Sequence, residues 1–147
     1  MMKLWILALG AVSLAACGGS KTPKVEYHLA PTAAPGVPYS SAVIVDNEMY
    51  LSGVIGLKPE GGLAEGGIGP ETVQAFANIE SILDDRGARM ADLVKCTVFL
   101  ADMAEYGAMN EVYAAQFPGP KPARTTVGAN GLPLGAAVEI ECMALMP

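Results

Sequence analysis

Ala137-Val-Glu-Ile-Glu-Cys-Met-Ala144 alternates side chains with the period of two that a β-strand imposes. Ile140, Cys142 and Ala144 fall on one face and suit packing against helices. Glu139, Glu141 and Met143 fall on the other, where two carboxylates require water or a partner subunit. Val94-Lys-Cys-Thr-Val-Phe-Leu100 divides in the same way, with Lys95, Thr97 and Phe99 opposite the helix-facing set. Working outward, Ala42–Val45 and Met49–Leu51 flank the turn pair Asp46-Asn47 and predict a hairpin. Six glycines between Gly56 and Gly69 predict a loop. Val73, Phe76, Ile79, Ile82 and Leu83 then recur at spacings of three and four, which predicts a helix over Pro70–Asp85 that stops at Gly87. Asp102 with Glu105 resembles a capping box and predicts a second helix to about Phe117, with a core stripe of Tyr106, Met109, Val112 or Tyr113, and Phe117. Ala123–Val127 is a further strand. Strands with interspersed helices predict an α+β fold with both helices on one sheet face. The other face is left bare and half-apolar, a candidate for burial between subunits.

The N-terminal segment belongs to a different problem. Lys3 precedes the apolar run Leu4–Val12, and Leu14-Ala15-Ala16 places two small residues before Cys17. The thirteen residues from Leu4 to Ala16 are too few for a permanent span, because crossing ~30 Å of hydrocarbon takes about 20. Residues 1–16 therefore read as a lipoprotein signal peptide, with Cys17 as the lipidation site. Residues 17–33 read as lipidated cysteine and flexible tether, and 34–147 as the folded domain. Within that tether stretch, the region from Val25 onward is read as irregular or as one edge strand. The expected location is the periplasmic side of a bacterial cell envelope. Gly18 after the cysteine, in place of an aspartate, points to the outer membrane.

Cleavage leaves 131 residues with a formal charge of −7 and only eight basic side chains. Such a surface has no footprint for nucleic-acid phosphates, which excludes nucleic acid as a partner. With one histidine and no CxxC pair, a structural zinc site is excluded, and no phosphate-cradling GxxxxGK[ST] or GxGxxG is present. Serine–histidine catalysis would have to run through His28, beside the tether. Cys96 and Cys142 lie in apolar strand runs, as buried free thiols or as a cross-strand bridge.

Three polar residues are candidates for chemistry. Arg124 begins a strand inside the uncharged run Pro122-Ala-Arg-Thr-Thr-Val127, and its planar fork suits a carboxylate; the same spacing also fits a solvated strand arginine. Glu139, one strand on, is positioned to meet Arg124 or to activate water, or is simply solvated. Asn110 lies four residues after Tyr106 and three before Tyr113, so its amide sits on or beside the apolar stripe and needs partners there. Tyr39 by itself reads as a packing residue.

Five segments taken in order, Tyr50-Leu-Ser-Gly-Val-Ile-Gly56, Val94–Leu100, Met109-Asn-Glu-Val-Tyr113, Pro122-Ala-Arg-Thr-Thr-Val-Gly128 and Val138-Glu-Ile-Glu141, resemble the motifs of the RidA family, also called YjgF. The resemblance runs from about Ala34 to Leu145. It implies a chorismate-mutase-like α+β fold, a mixed sheet with two helices on one face. It further implies a homotrimer whose sheets form a central barrel, with active sites in the clefts between subunits. On this resemblance Arg124 binds the substrate carboxylate, Glu139 positions or activates water, and Tyr39, in Gly36-Val-Pro-Tyr-Ser-Ser41, contributes a hydroxyl. Gly53, Asn110 and Thr126 are the implied substrate-binding residues, Thr126 standing where several deaminases carry cysteine. Val37 is inserted between a usually adjacent glycine and proline, and Ser41 and Val54 replace glutamines.

The activity implied is hydrolysis of enamine and imine intermediates, the 2-imino acids, to 2-keto acids and ammonia, without metal or organic cofactor. The alternative is a non-catalytic periplasmic module in which the same arginine captures a small carboxylate or a protein partner. A ribonuclease activity, attributed to some relatives, fits poorly with the acidic surface and an exported chain.

Overall fold

A computed structural model describes residues 22–147. The segment read as a signal peptide, Cys17 and the first part of the stretch read as tether lie outside the described residues. Seven strands form one sheet: β1 (Val25–His28), β2 (Ala42–Val45), β3 (Glu48–Leu51), β4 (Val54–Ile55), β5 (Leu93–Leu100), β6 (Ala123–Gly128) and β7 (Val138–Leu145). Two helices, α1 (Ile68–Asp84) and α2 (Tyr106–Ala115), accompany them. The strand order is β1-β2-β3-β7-β5-β6, with β4 also paired to β7. Every pairing is antiparallel except β5 with β6, which are parallel and joined through α2. The sheet is mixed, as expected.

The hairpin forms where Asp46-Asn47 predicted it, and Asp46 takes the positive φ (55°) that aspartate tolerates in tight turns. Strand β1 departs from the expected domain boundary at residue 34. It pairs along its length with β2, and Glu26 is bound by Arg86 at 2.5 Å, so the sheet begins nine residues earlier, within the stretch read as tether. Only the edge-strand reading of that region survives. Helix α1 starts at Ile68, two residues before Pro70. Its buried stripe is Ile68, Glu71, Thr72, Ala75, Phe76, Ile79, Ile82 and Leu83; Val73, expected in the stripe, is exposed. Gly87 follows the helix with φ 75°, a conformation that costs glycine nothing. The capping box at Asp102 is only half made. Asp102 accepts from the Ala104 N–H at 2.8 Å and caps a short 3₁₀ turn, while α2 itself begins behind Glu105, which gives no side-chain cap. Of the expected α2 stripe, Met109, Tyr113 and Phe117 are buried, but Tyr106 is exposed and Val112 only half-buried.

The core lies between the helices and one sheet face. Phe76 of α1 meets Tyr113 and Phe117 edge-on at 5.3 and 5.5 Å, above Val98, Val138 and Ile140. Along β7 the burial alternates as the sequence demanded: Val138, Ile140, Cys142 and Ala144 are buried and Glu139, Glu141, Met143 and Leu145 are not. Cys96 and Cys142 are register partners on β5 and β7 with Cα atoms 4.1 Å apart, and they form a disulfide inside this core. Of the two states open to them, the bridge is the one adopted. It closes a loop of 46 residues, and removing a native bridge of this kind costs about 2–5 kcal/mol. Cys96→Ala/Cys142→Ala is therefore expected to lose stability in that range in urea unfolding monitored by fluorescence or circular dichroism. A loss below about 1 kcal/mol would contradict it.

Strands β3 and β4 form one continuous path along β7, but with a slip. Tyr50 is opposite Met143 and Val54 opposite Ile140, so four steps on one side match three on the other. The extra residue makes a bulge around Ser52-Gly53, and it re-aims the chain immediately beside Glu139.

Candidate functional site

Arg124 lies on β6 in register with Cys96, so its side chain leaves the sheet on the helix side. There α2 crosses above it. The Nη2 group donates to Asn110 Oδ1 at 2.6 Å and to Tyr106 Oη at 3.1 Å. The guanidinium rests over the Tyr113 ring, 4.5 Å from its centroid, and 5.7 Å from that of Tyr106. This is a cation on an aromatic floor. Among the described residues its hydrogen-bond partners are neutral oxygens, and no carboxylate forms a salt bridge with it. A cleft of about 550 Å³ opens beside it, lined by Asn110, Glu111, Tyr113, Lys121 and Arg124. Thr126, two residues along the same face of β6, has a buried Oγ1 with no hydrogen-bond partner among the described residues.

Glu139 lies elsewhere. It is opposite Phe99 on β5 and Ile55 on β4, on the sheet face that the helices leave bare. A cleft of about 310 Å³ there is lined by Tyr39, Ser52, Gly53, Ile55, Pro133 and Glu139. The bulge seats the carboxylate directly on Gly53: a Cβ at that position would stand 1.9 Å from Glu139 Oε1. Gly53 has ordinary negative-φ backbone, so its role is space and not conformational freedom. Ser52 Oγ donates to Ser40 O at 2.7 Å and Ser41 Oγ accepts from Ala30 N at 3.0 Å, and together they pin the segment that presents Tyr39. Tyr39 is 58% exposed, which overturns its reading as a packing residue. Burial, and after it the like charge of Glu141, holds the Glu139 carboxyl above the ordinary glutamate range.

Of the alternatives open to Glu139, a contact with Arg124 is not made within one chain. Strand β5 lies between theirs, which separates the backbones by about 10 Å, and the two side chains leave opposite faces of the sheet. The structure thus makes two half-sites: Arg124, Asn110 and Thr126 on one side, Tyr39, Gly53 and Glu139 on the other. Three contributors were not legible as such. Tyr106 and Tyr113 read as core stripe, because helical spacing does not say which aromatic ring lies under a cation from another strand. Glu71 went unnoticed within the α1 pattern; it is buried and accepts from the Ala137 N–H at 2.8 Å, tying α1 to the start of β7. No group of three or more His, Cys, Asp or Glu among the described residues is placed to hold a metal ion.

The family model described as Endoribonuclease L-PSP matches residues 30–146. The chain belongs to this family, the RidA family. Among its RidA relatives, Reactive Intermediate Deaminase A of Arabidopsis thaliana, a chloroplast protein, is 44% identical over 110 residues, covering 74% of this chain and 59% of the plant protein. The mouse 2-iminobutanoate/2-iminopropanoate deaminase is 45% identical over 109 residues, 74% of this chain and 81% of the mouse protein. The crystal structure of the yeast protein YEO7 superposes with a TM-score of 0.79 at 34% identity, over 84% of this chain and all of the yeast chain. The expected RidA fold is therefore the one observed.

Proposed function

We propose that this RidA-family protein is an enamine/imine deaminase that hydrolyses 2-imino acids to 2-keto acids and ammonia. The observation that carries the proposal is Arg124, a cation held by neutral oxygens over an aromatic floor and open to a cleft. That is a seat prepared for an anionic carboxylate. Relatives named as deaminases of such substrates support the reading.

Because the two half-sites face apart in one chain, the working site joins Arg124 of one protomer to Glu139 and Tyr39 of the next, in a homotrimer. The bare sheet face, with Tyr50, Lys95, Thr97, Glu141 and Met143 around a hollow of about 320 Å³, supplies the surface that the trimer buries in its central barrel. In the reaction, a water oxygen attacks the imine carbon, the C=N π pair moves to nitrogen, and Glu139 takes the water proton. Glu139 then passes that proton to nitrogen. The hydroxyl proton then passes by way of Glu139 to the same nitrogen, the C–N bond breaks as the hydroxyl becomes a carbonyl, ammonia leaves and Glu139 is again ionised. Tyr39 donates a hydrogen bond to the nitrogen or orients the water. Release of ammonia from 2-iminobutanoate, generated in the assay, tests the proposal; wild-type protein that gives no more than the spontaneous rate would refute it.

Glu139 must be ionised to accept the proton, so its raised pKa moves the acidic limb of kcat/KM above the ordinary glutamate range. The residues opposite Glu139 on β5 and β4 are apolar Phe99 and Ile55, so the charge closest along its own strand face is Glu141. Glu141→Gln removes that like charge and is expected to shift the limb to lower pH. The shift is partial, because burial, the larger cause, remains. A pH–rate profile for both proteins checks this, and an unmoved or raised limb would count against it.

The binding-module reading needs only the arginine. The desolvated carboxylate seated on Gly53 favours the enzyme. The acidic surface offers nothing to RNA phosphates.

The lipid anchor at Cys17 and placement on the periplasmic side of the envelope, at the outer membrane, are part of the same proposal. Support comes from the segment before Cys17 and from the core disulfide, a bond suited to an oxidising compartment. Cys17→Ser is expected to move the protein from membrane to soluble fractions.

A further inference from the structure

Glu71 is a charged side chain at a position where the packing asks for an apolar one. It lies in the first turn of α1, on the stripe that enters the core with Ile68, Thr72, Ala75 and Phe76, and it is 7% exposed. Burying a carboxylate is costly unless it is paired and well bonded. Among the described residues no cation forms a salt bridge with it. Its hydrogen bond goes to backbone: Oε2 accepts from the Ala137 N–H at 2.8 Å. The positive end of the helix offsets part of the cost. Packing does not account for the rest.

The surroundings of Glu71 lead to Glu139 from two sides. Ala137 stands two residues before Glu139, at the entry to β7, and its carbonyl accepts from the Ala101 N–H at 3.0 Å, so both of its backbone groups are held. Two helical turns along α1 from Glu71, on the same side of the helix, is Asn78. Its Nδ2 donates to the carbonyls of Ile55 at 3.0 Å and Leu57 at 2.9 Å, and Ile55 is the residue opposite Glu139 on β4. Between them Gly56 lies flush on the Glu71 backbone, where a Cβ would stand 2.6 Å from Glu71 O. Helix α1 thus holds the strand that carries Glu139 and the strand that lies opposite it.

We propose that Glu71 is a positioning residue for Glu139, fixing the entry of β7 while Asn78 fixes β4, so that the carboxylate stays seated on Gly53 and shielded from water. The inference rests on the reading of Glu139 as the water-handling base. It gives a use to a buried charge, and it extends the working site to a helix that places no side chain in either half-site.

The groups facing Glu139 are Tyr39 across the cleft and Glu141 along its own strand; Ile55, Phe99 and Pro133 carry no charge. Burial is the larger cause of its raised pKa, so strands that loosen and admit water lower it. Glu71→Ala in the full protein is therefore expected to move the acidic limb of kcat/KM for 2-iminobutanoate to lower pH. It should also reduce kcat about 10- to 100-fold, the scale of a small misplacement of a reacting group. KM should stay within about twofold, since the substrate carboxylate is held from β6. Glu71→Gln keeps an acceptor for the Ala137 N–H without the charge and should restore both readouts. Ile79→Val, a small cavity on the same helix, should lower the melting temperature and leave kcat and the limb alone. Where Glu71→Ala does not fold, Asn78→Ala, which releases β4 in the same way, is read in its place. Wild-type kcat with an unmoved limb overturns the proposal. A Glu71→Gln protein as impaired as Glu71→Ala overturns it too, because the charge and not the hydrogen bond is then the active element. So does an Ile79→Val protein that loses kcat in step with its melting temperature, which reduces Glu71 to fold stability. Glu139→Gln in the same series separates the two readings. Wild-type turnover there removes the base itself, whereas an inactive Glu139→Gln beside a normal Glu71→Ala removes only the positioning role.

Discussion

Arg124→Ala is expected to lower kcat/KM for 2-iminobutanoate by about 30-fold to several-thousand-fold. Truncating one partner of a desolvated, charge-assisted contact costs on the order of 2–5 kcal/mol, and each factor of ten in rate corresponds to about 1.4 kcal/mol. The loss should fall mainly on KM, since the carboxylate is spectator to the bond changes. Arg124→Lys should recover part of it. An ammonium restores the charge, but it cannot hold the Asn110 and Tyr106 oxygens and the substrate in one plane as the guanidinium does. Steady-state kinetics of the three proteins, with calorimetric titration of 2-ketobutanoate, measures both parts. Wild-type activity and binding in Arg124→Ala would return the arginine to the role of a half-buried strand residue.

Glu139→Gln is expected to separate chemistry from binding. The amide keeps the shape of the side chain on Gly53 but accepts no proton, so turnover should fall by about 10²- to 10⁴-fold. Affinity for the 2-keto acid should be kept or improved, because a negative charge near an anionic ligand has been removed. Gly53→Ala offers an independent route to the same end. The added methyl collides with the far end of the Glu139 side chain and with no backbone, so it displaces the carboxylate at small cost to the fold. If the protein only binds carboxylates, neither substitution has turnover to lose, and the decisive contrast with Arg124→Ala disappears. Equal turnover in wild type and Glu139→Gln would remove Glu139 as the water-handling base.

Much of this was legible in local pattern. The two-residue alternation of Ala137–Ala144 and Val94–Leu100 foretold which side chains face the helices, and it placed Cys96 and Cys142 in the core. It could not pair them, since register depends on how β5 and β7 come together across 46 residues. Strand β1 was hard to see because its four residues are half-exposed at a sheet edge, so burial leaves little imprint. Val73 was wrongly enlisted because an apolar type at the right spacing does not report which side of α1 meets the sheet. The site residues were each recognisable from motifs, but their arrangement was not. Whether Arg124 and Glu139 meet depends on strand order and on sheet face, and β5 intervenes between their strands. The slip between β3 and β4 that seats Glu139 on Gly53 is likewise a property of pairing with β7.

A site divided between neighbouring protomers can be tested by mixing two defective chains. Arg124→Ala and Glu139→Gln homotrimers should each be nearly inactive toward 2-iminobutanoate. Co-expressed in equal amounts and purified together, they should form mixed trimers in which about one site in four combines an intact arginine from one chain with an intact glutamate from the next. Ammonia release per site should then recover to about one quarter of the wild-type rate. Mixed trimers no more active than their two parents would contradict the shared site.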